Sequence, residues 1–138
     1  MIIVNNEVVL PKKFPDGTPL ITLDEDKCNL IGSYVPWVHV VEWKFDSMDE
    51  LFIVQCIKRQ LDRYKLNRVK LVMPYIPNAR MDRVKDDNEV FTLKTFCELI
   101  NDMHFDMVEV INAHSNVSLA LINNVEDMGE LSIMHLFT

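Results

Sequence analysis

Glycine is scarce in this chain, with three in 138 residues: Gly17, Gly32 and Gly129. Loops that cradle phosphate need clustered glycines, because a side chain keeps backbone amides from closing on the anion. These three stand too far apart to build one. Cysteine says little: Cys28, Cys56 and Cys97 are odd in number, widely spaced and without a Cys-x-x-Cys pair. That pattern argues against a disulfide framework and against a zinc site. No apolar run approaches the ~20 residues of a membrane-spanning helix, and the first residues lack the basic-then-apolar order of a secretory signal. A reduced, cytoplasmic protein with no membrane partner is expected. Basic charge is short as well, with 21 acids against 14 bases and a formal net charge of −7. Polyanion binding needs a concentrated basic face. The densest candidate, Arg80 to Lys85, is offset by Asp82, Asp86 and Asp87. No nucleic-acid partner is expected.

What is present suffices for one core. At 49% hydrophobic, residues 1–138 are expected to form a single domain. Ile2-Ile3-Val4 and Val8-Val9-Leu10 flank Asn5-Asn6, which predicts a β-hairpin. Pro15-Asp16-Gly17 is a turn signal, since Pro presets φ and Gly accepts φ > 0; Pro19 to Leu23 is the expected returning strand. Val35 to Trp43 is β-branched and aromatic, hence a strand. Ser47-Met48-Asp49-Glu50 has the form of a capping box, hydroxyl and carboxylate each satisfying an orphan amide. Leu51, Val54, Ile57 and Leu61 then recur at helical spacing, with Lys58, Arg59 and Arg63 expected to face outward.

A strand is predicted over Val69 to Met73. The charged loop Tyr75 to Val90 follows, long enough to be functional. Thr92 is the expected cap of a helix that buries Leu93, Phe96, Leu99, Ile100 and Met103. Met107 to Ile111 predicts a strand, Val117 to Asn123 a short helix, and Leu131 to Phe137 a last strand. The alternation implies an α/β fold with a parallel sheet flanked by helices and right-handed crossovers.

Met73-Pro74-Tyr75-Ile76-Pro77-Asn78-Ala79-Arg80-Met81-Asp82-Arg83 is the stretch that bears most on function. Two prolines and an Asn are expected to end the strand abruptly. Arginines follow at the carboxyl end of a strand, where α/β sheets present their ligand loops. A guanidinium fork there suits phosphate or carboxylate.

Three segments resemble the N-terminal domain of ribose-phosphate pyrophosphokinase. Phe14-Pro15-Asp16-Gly17-Thr18 is similar to that family's Phe-Ser-Asp/Asn-Gly/Gln-Glu turn. Pro74 to Arg83 is similar to Pro-Tyr-Phe-x-Tyr-Ala-Arg-Gln-Asp-Arg. Val110-Ile111-Asn112-Ala113-His114 stands where the family has a Val-Asp-Leu-His strand end. Ser47 to Leu61 looks like the helix between them. The matches run in order over roughly residues 14 to 125.

The resemblance implies a phosphoribosyltransferase-like parallel sheet with an N-terminal β-hairpin, and an enzyme that transfers diphosphate from ATP to a ribose phosphate. It places Arg80 and Met81 on the family's ATP-contacting Arg-Gln pair, with Asp82 and Arg83 on the flexible loop. Asp16, Gly17 and Thr18 fall on the turn that reaches adenine from a neighbouring subunit. His114 falls on the histidine that helps hold Mg2+. A homo-oligomer is implied.

Several positions depart from the pattern. Met81 replaces a Gln, Thr18 a Glu, and Asn112 the Asp beside the magnesium histidine. Cys28 to Tyr34 carries no counterpart of the family's Val-Arg-Gly segment. The acidic stretch with Thr-Gly-Gly-Thr that cradles the ribose phosphate does not occur. The expectation is therefore the ATP-binding half of the enzyme, inactive alone, with the other half supplied by further sequence or a partner chain. A non-catalytic, nucleotide-sensing relative is the alternative from a different class. A metal-dependent hydrolase built on His114 ranks third, because no carboxylate–histidine cluster supports it.

Overall fold

The computed structural model describes residues 1–30, 38–66, 68–112 and 116–128. Strands β1 (Ile2–Val4) and β2 (Glu7–Val9) form the first hairpin, with Val4 opposite Glu7. Asn5 and Asn6 both take positive φ, 46° and 72°, the geometry of a two-residue turn that matches strand twist. The second hairpin, β3 (Lys12–Lys13) and β4 (Pro19–Leu20), is a separate two-stranded sheet. Its returning strand is shorter than expected, stopping at Leu20.

Strand β5 (His39–Trp43), helix α1 (Asp49–Arg63), strand β6 (Val69–Tyr75), helix α2 (Thr92–Asp102), strand β7 (Met107–Asn112), helix α3 (Asn116–Leu121) and strand β8 (Val125–Asp127) complete the order. The main sheet runs β2-β1-β5-β6-β7-β8, with β5 to β8 parallel and β1 antiparallel to both of its neighbours. The parallel sheet that the alternation implied is present as β5 to β8, and the first hairpin extends it into a mixed, mostly parallel sheet. Each crossover from β5 to β8 advances the same way, so right-handed connections put α1, α2 and α3 on one face.

The core lies between that face and the helices. Val4, Val41, Trp43, Leu71 and Met73 meet Val54, Ile57, Leu61, Leu93 and Phe96, all essentially inaccessible. The expected stripe of α1 is buried in full; on α2, Leu99 is only partly buried and Cys97 takes a core place.

Some local expectations are corrected. Lys58 does not face outward: it is buried, its Nζ 2.6 Å from Asp62 Oδ1 and 5.5 Å from the centre of the Phe105 ring. The aliphatic stem fills the space beside Phe105 while the ammonium keeps a carboxylate and a π face. Strand β6 runs on through Pro74 to Tyr75. Proline tolerates this because its missing N–H removes only one ladder bond near the strand end. Thr92 begins α2 but does not cap it; Phe91 holds the cap position without a side-chain bond. At α1 only the Glu50 arm of the capping box forms, and Met48, not Ser47, is the cap residue. Strand β8 was not anticipated, its Val-Glu-Asp being too acidic to announce a strand. Residues 35–37 of the predicted strand, and the predicted strand Leu131 to Phe137, lie outside the described residues.

Candidate functional site

Two described chain segments leave the carboxyl edge of the parallel strands, one after β5 and one after β6. After β5 come Lys44, Phe45, Asp46 and Ser47 before α1 begins. Strand β6 ends at Tyr75, which pairs with Asn112 at the last step of the β6–β7 ladder.

Glu50, in the first turn of α1, organises the β5–α1 connection. Its Oε1 accepts from Asp46 N–H at 2.7 Å, Ser47 N–H at 3.1 Å and the buried Trp43 Nε1–H at 3.2 Å. Burial pushes this carboxyl up, but the amino-terminal ammonium, the two amides and the indole outweigh it and hold the pKa below 4.5. A carboxylate near a helix N-terminus is also favoured by the dipole.

The loop after β6 is anchored at two points. Ile76 and Ala79 are buried. Turn bonds run from Ala79 N–H to Ile76 O (3.3 Å) and from Met81 N–H to Asn78 O (2.9 Å). Asn78 adopts φ 63°, a conformation its short side chain tolerates, and its Nδ2 lies 3.9 Å from Met48 Sδ at the start of α1. With residues 76 and 79 turned inward, Arg80 is turned out. It is exposed and makes no hydrogen bond or ion pair among the described residues. Met81 and Asp82 are half-buried, and Arg83 is exposed with Nε 3.6 Å from Asp82 Oδ1. The result is an uncommitted guanidinium on an anchored loop.

Sequence reasoning did not single out the aromatic side chains at this edge. Tyr75 is 46% exposed. Its ring lies 5.9 Å from Phe45 at 41°; Phe45 lies 5.8 Å from Trp43, and Trp43 lies 5.9 Å from buried Phe96. These separations suit tilted aromatic pairs. The available signal was an aromatic placed just beyond the last buried residue of each of two apolar runs.

Asp16, Gly17 and Thr18 form the tip between β3 and β4. Asp16 Oδ1 accepts from Thr18 Oγ1–H at 2.6 Å and Thr18 N–H at 3.0 Å, and the Thr18 hydroxyl, then its amide, hold the Asp16 carboxyl below its usual range. No hydrogen bond or ion pair among the described residues joins this tip to the 75–90 loop. His114 lies outside the described residues. Among the described residues no group of three or more His, Cys, Asp or Glu side chains is arranged to hold a metal ion, and no helix is long and apolar enough to cross a membrane.

No family model matches the chain. Ribose-phosphate pyrophosphokinase of Saccharolobus solfataricus is 26% identical over 125 residues, 90% of this chain. The chain resembles ribose-phosphate pyrophosphokinase over most of its length. The fold agrees: phosphoribosylpyrophosphate synthetase of Mycobacterium smegmatis matches 94% of this chain with a TM-score of 0.73, at 15% identity, a likeness of fold alone. The chain spans 39% of that curated relative and 42% of that solved chain.

Proposed function

We propose that these 138 residues are the ATP-binding half of a ribose-phosphate diphosphokinase. In the reaction, the anomeric hydroxyl of ribose 5-phosphate attacks the β-phosphorus of MgATP. The bond from the β-phosphorus to the oxygen that bridges it to the α-phosphorus breaks, AMP leaves with that oxygen, and the hydroxyl proton passes to solvent or base. The product is phosphoribosyl pyrophosphate. Such transfers need little covalent help and depend on positioning and charge neutralisation.

The observation that supports this reading most is Arg80. Its guanidinium is unpaired among the described residues and stands on a loop fixed by buried Ile76 and Ala79. It occupies the motif position that the resemblance assigns to ATP. Magnesium enters with ATP, and His114 is the residue that the resemblance assigns to holding it. Met81 lines the same loop as a soft apolar contact, with Asp82 and Arg83 beyond it. The Asp16-Gly17-Thr18 tip serves a neighbouring subunit in a homo-oligomer. Three scattered glycines leave no cradle for the ribose phosphate, so that site belongs to further sequence or to a partner chain.

Calorimetry with ATP, with and without magnesium, tests the reading. Arg80→Ala is expected to weaken ATP roughly ten- to a hundredfold, the worth of charge-assisted hydrogen bonds to phosphate. Wild-type affinity retained in that variant sinks the assignment. Robust product from the 138 residues with MgATP and ribose 5-phosphate sinks the two-part account.

A second reading, a nucleotide-sensing subunit without catalysis, draws support from Met81, Thr18 and Asn112, each less polar or less charged than the family's residue. The Asp16 carboxylate is moreover already engaged by Thr18. ATP binding without turnover, even when the missing half is supplied, distinguishes it.

A further inference from the structure

We propose that Tyr75, backed by Phe45, is the stacking platform for the nucleotide's base. This rests on the ATP-binding reading and adds to it a residue and a recognition mode.

Three observations meet at this side chain. Tyr75 occupies the final rung of the β6–β7 ladder, opposite Asn112, so its backbone is fixed by the sheet while its ring reaches the open edge. Tyr75 is 46% exposed, and its hydroxyl makes no hydrogen bond among the described residues. Behind it, Phe45, Trp43 and Phe96 form a continuous file of tilted rings into the core. Large aromatics held from behind and open in front lose little conformational entropy on binding a planar partner.

The neighbourhood selects among planar ligands. Five residues further on, the anchored loop turns Arg80 outward. Met48, itself 44% exposed, touches the same loop through Asn78. An exposed aromatic residue and an exposed arginine five residues apart on one segment fit a ligand with a flat ring at one end and anionic oxygens at the other. A nucleoside triphosphate has that form. Glu50 holds Asp46 N–H, Ser47 N–H and the Trp43 indole, and so fixes the connection that carries Phe45.

The test compares ATP with inorganic tripolyphosphate, which has the anion and lacks the base, by calorimetry on wild type, Tyr75→Ala, Tyr75→Phe and Arg80→Ala. Circular dichroism checks that each variant is folded. Tyr75→Ala is expected to weaken ATP roughly tenfold, the scale of one base–aromatic stack, and to leave tripolyphosphate unchanged. Tyr75→Phe keeps ATP affinity, because the ring and not the hydroxyl does the stacking. Arg80→Ala weakens both ligands. Unchanged ATP affinity in Tyr75→Ala, with Arg80→Ala still weakened, overturns the stacking role and leaves the ATP site standing. Equal loss of ATP and tripolyphosphate in Tyr75→Ala also overturns it, since the defect is then not confined to the base. A folded wild type that binds neither ligand overturns both proposals.

Discussion

Removing the Glu50 carboxylate strikes the structure at one definable point. Its Oε1 is the common acceptor for two backbone amides and the indole of Trp43. Asp46 and Ser47 are exposed, so water replaces the carboxylate at their amides with little loss. Trp43 is fully buried, and an orphaned buried donor costs about 1–3 kcal/mol. Loss of a negative charge that faces both the first turn of α1 and the half-exposed amino-terminal ammonium adds about 0.3–1 kcal/mol. Because the Glu50 side chain is 15% exposed, water can partly reach the vacated space, which favours the lower half of the range. Glu50→Ala is therefore expected to lower stability by about 1.5–3 kcal/mol, read as a reduced midpoint in urea with an unchanged slope. Glu50→Gln keeps an acceptor and loses only the charge, so about 0.5–1 kcal/mol is expected. The pH dependence has a fixed sign. The folded carboxyl lies below its model value of 4.5, so the unfolded chain takes up the proton first as pH falls. The charge contribution is complete above pH 4.5 and disappears as pH falls through the folded value, where wild type and Glu50→Gln converge. If Glu50→Ala stays within 0.5 kcal/mol of wild type, or Glu50→Gln costs as much, the carboxylate is not the organiser described.

Two further predictions concern the first 40 residues. Gly17 has φ 88° with nothing within 4 Å of a built Cβ, so Gly17→Ala meets strain without a clash, about 1 kcal/mol; faster amide exchange at Gly17 and Phe14 is expected, and unchanged protection refutes it. Asn5 donates to Cys28 O and accepts from Val40 N–H, which fixes its amide so that it also donates to His39 Nδ1 at 2.9 Å. His39 is accordingly neutral with its proton on Nε2, and burial lowers its pKa below 6.5. Its stabilisation is complete above pH 6.5 and declines as pH falls toward the folded value. Loss of stability below pH 6.5 should be weaker in His39→Gln, and a folded-state titration of His39 with its midpoint at or above pH 6.5 contradicts the assignment.

Periodicity and turn chemistry made most of the fold legible, because both are local. Asn-Asn between apolar triplets announced β1–β2, and Leu51, Val54, Ile57 and Leu61 announced the buried side of α1. Non-local facts were out of reach. Lys58 looked like a solvated cation on the polar side of that helix; only the tertiary approach of Phe105 makes its burial tolerable. His39 lacked ligand spacing, and nothing in its neighbours signalled that Asn5 would close over it. Strand β8 was hidden by its two acids, which an edge position accommodates.

The candidate site divides along the same line. Arg80 could be located from sequence because its environment is made by its own loop: apolar Ile76 and Ala79 turn inward, and Arg80, one residue later, must turn outward. The aromatic shelf is different. Phe45 and Tyr75 meet only because β5 and β6 lie side by side and parallel, a pairing that no short window contains. The motif names the cation, and the sheet brings the two rings together. The two contributions are physically separate, one fixed by turns within the loop and the other by the ladder beneath it. Anion affinity and base affinity should therefore respond independently to changes at Arg80 and at Tyr75, and coupling between the two substitutions beyond simple additivity would mean that loop and shelf move as a unit.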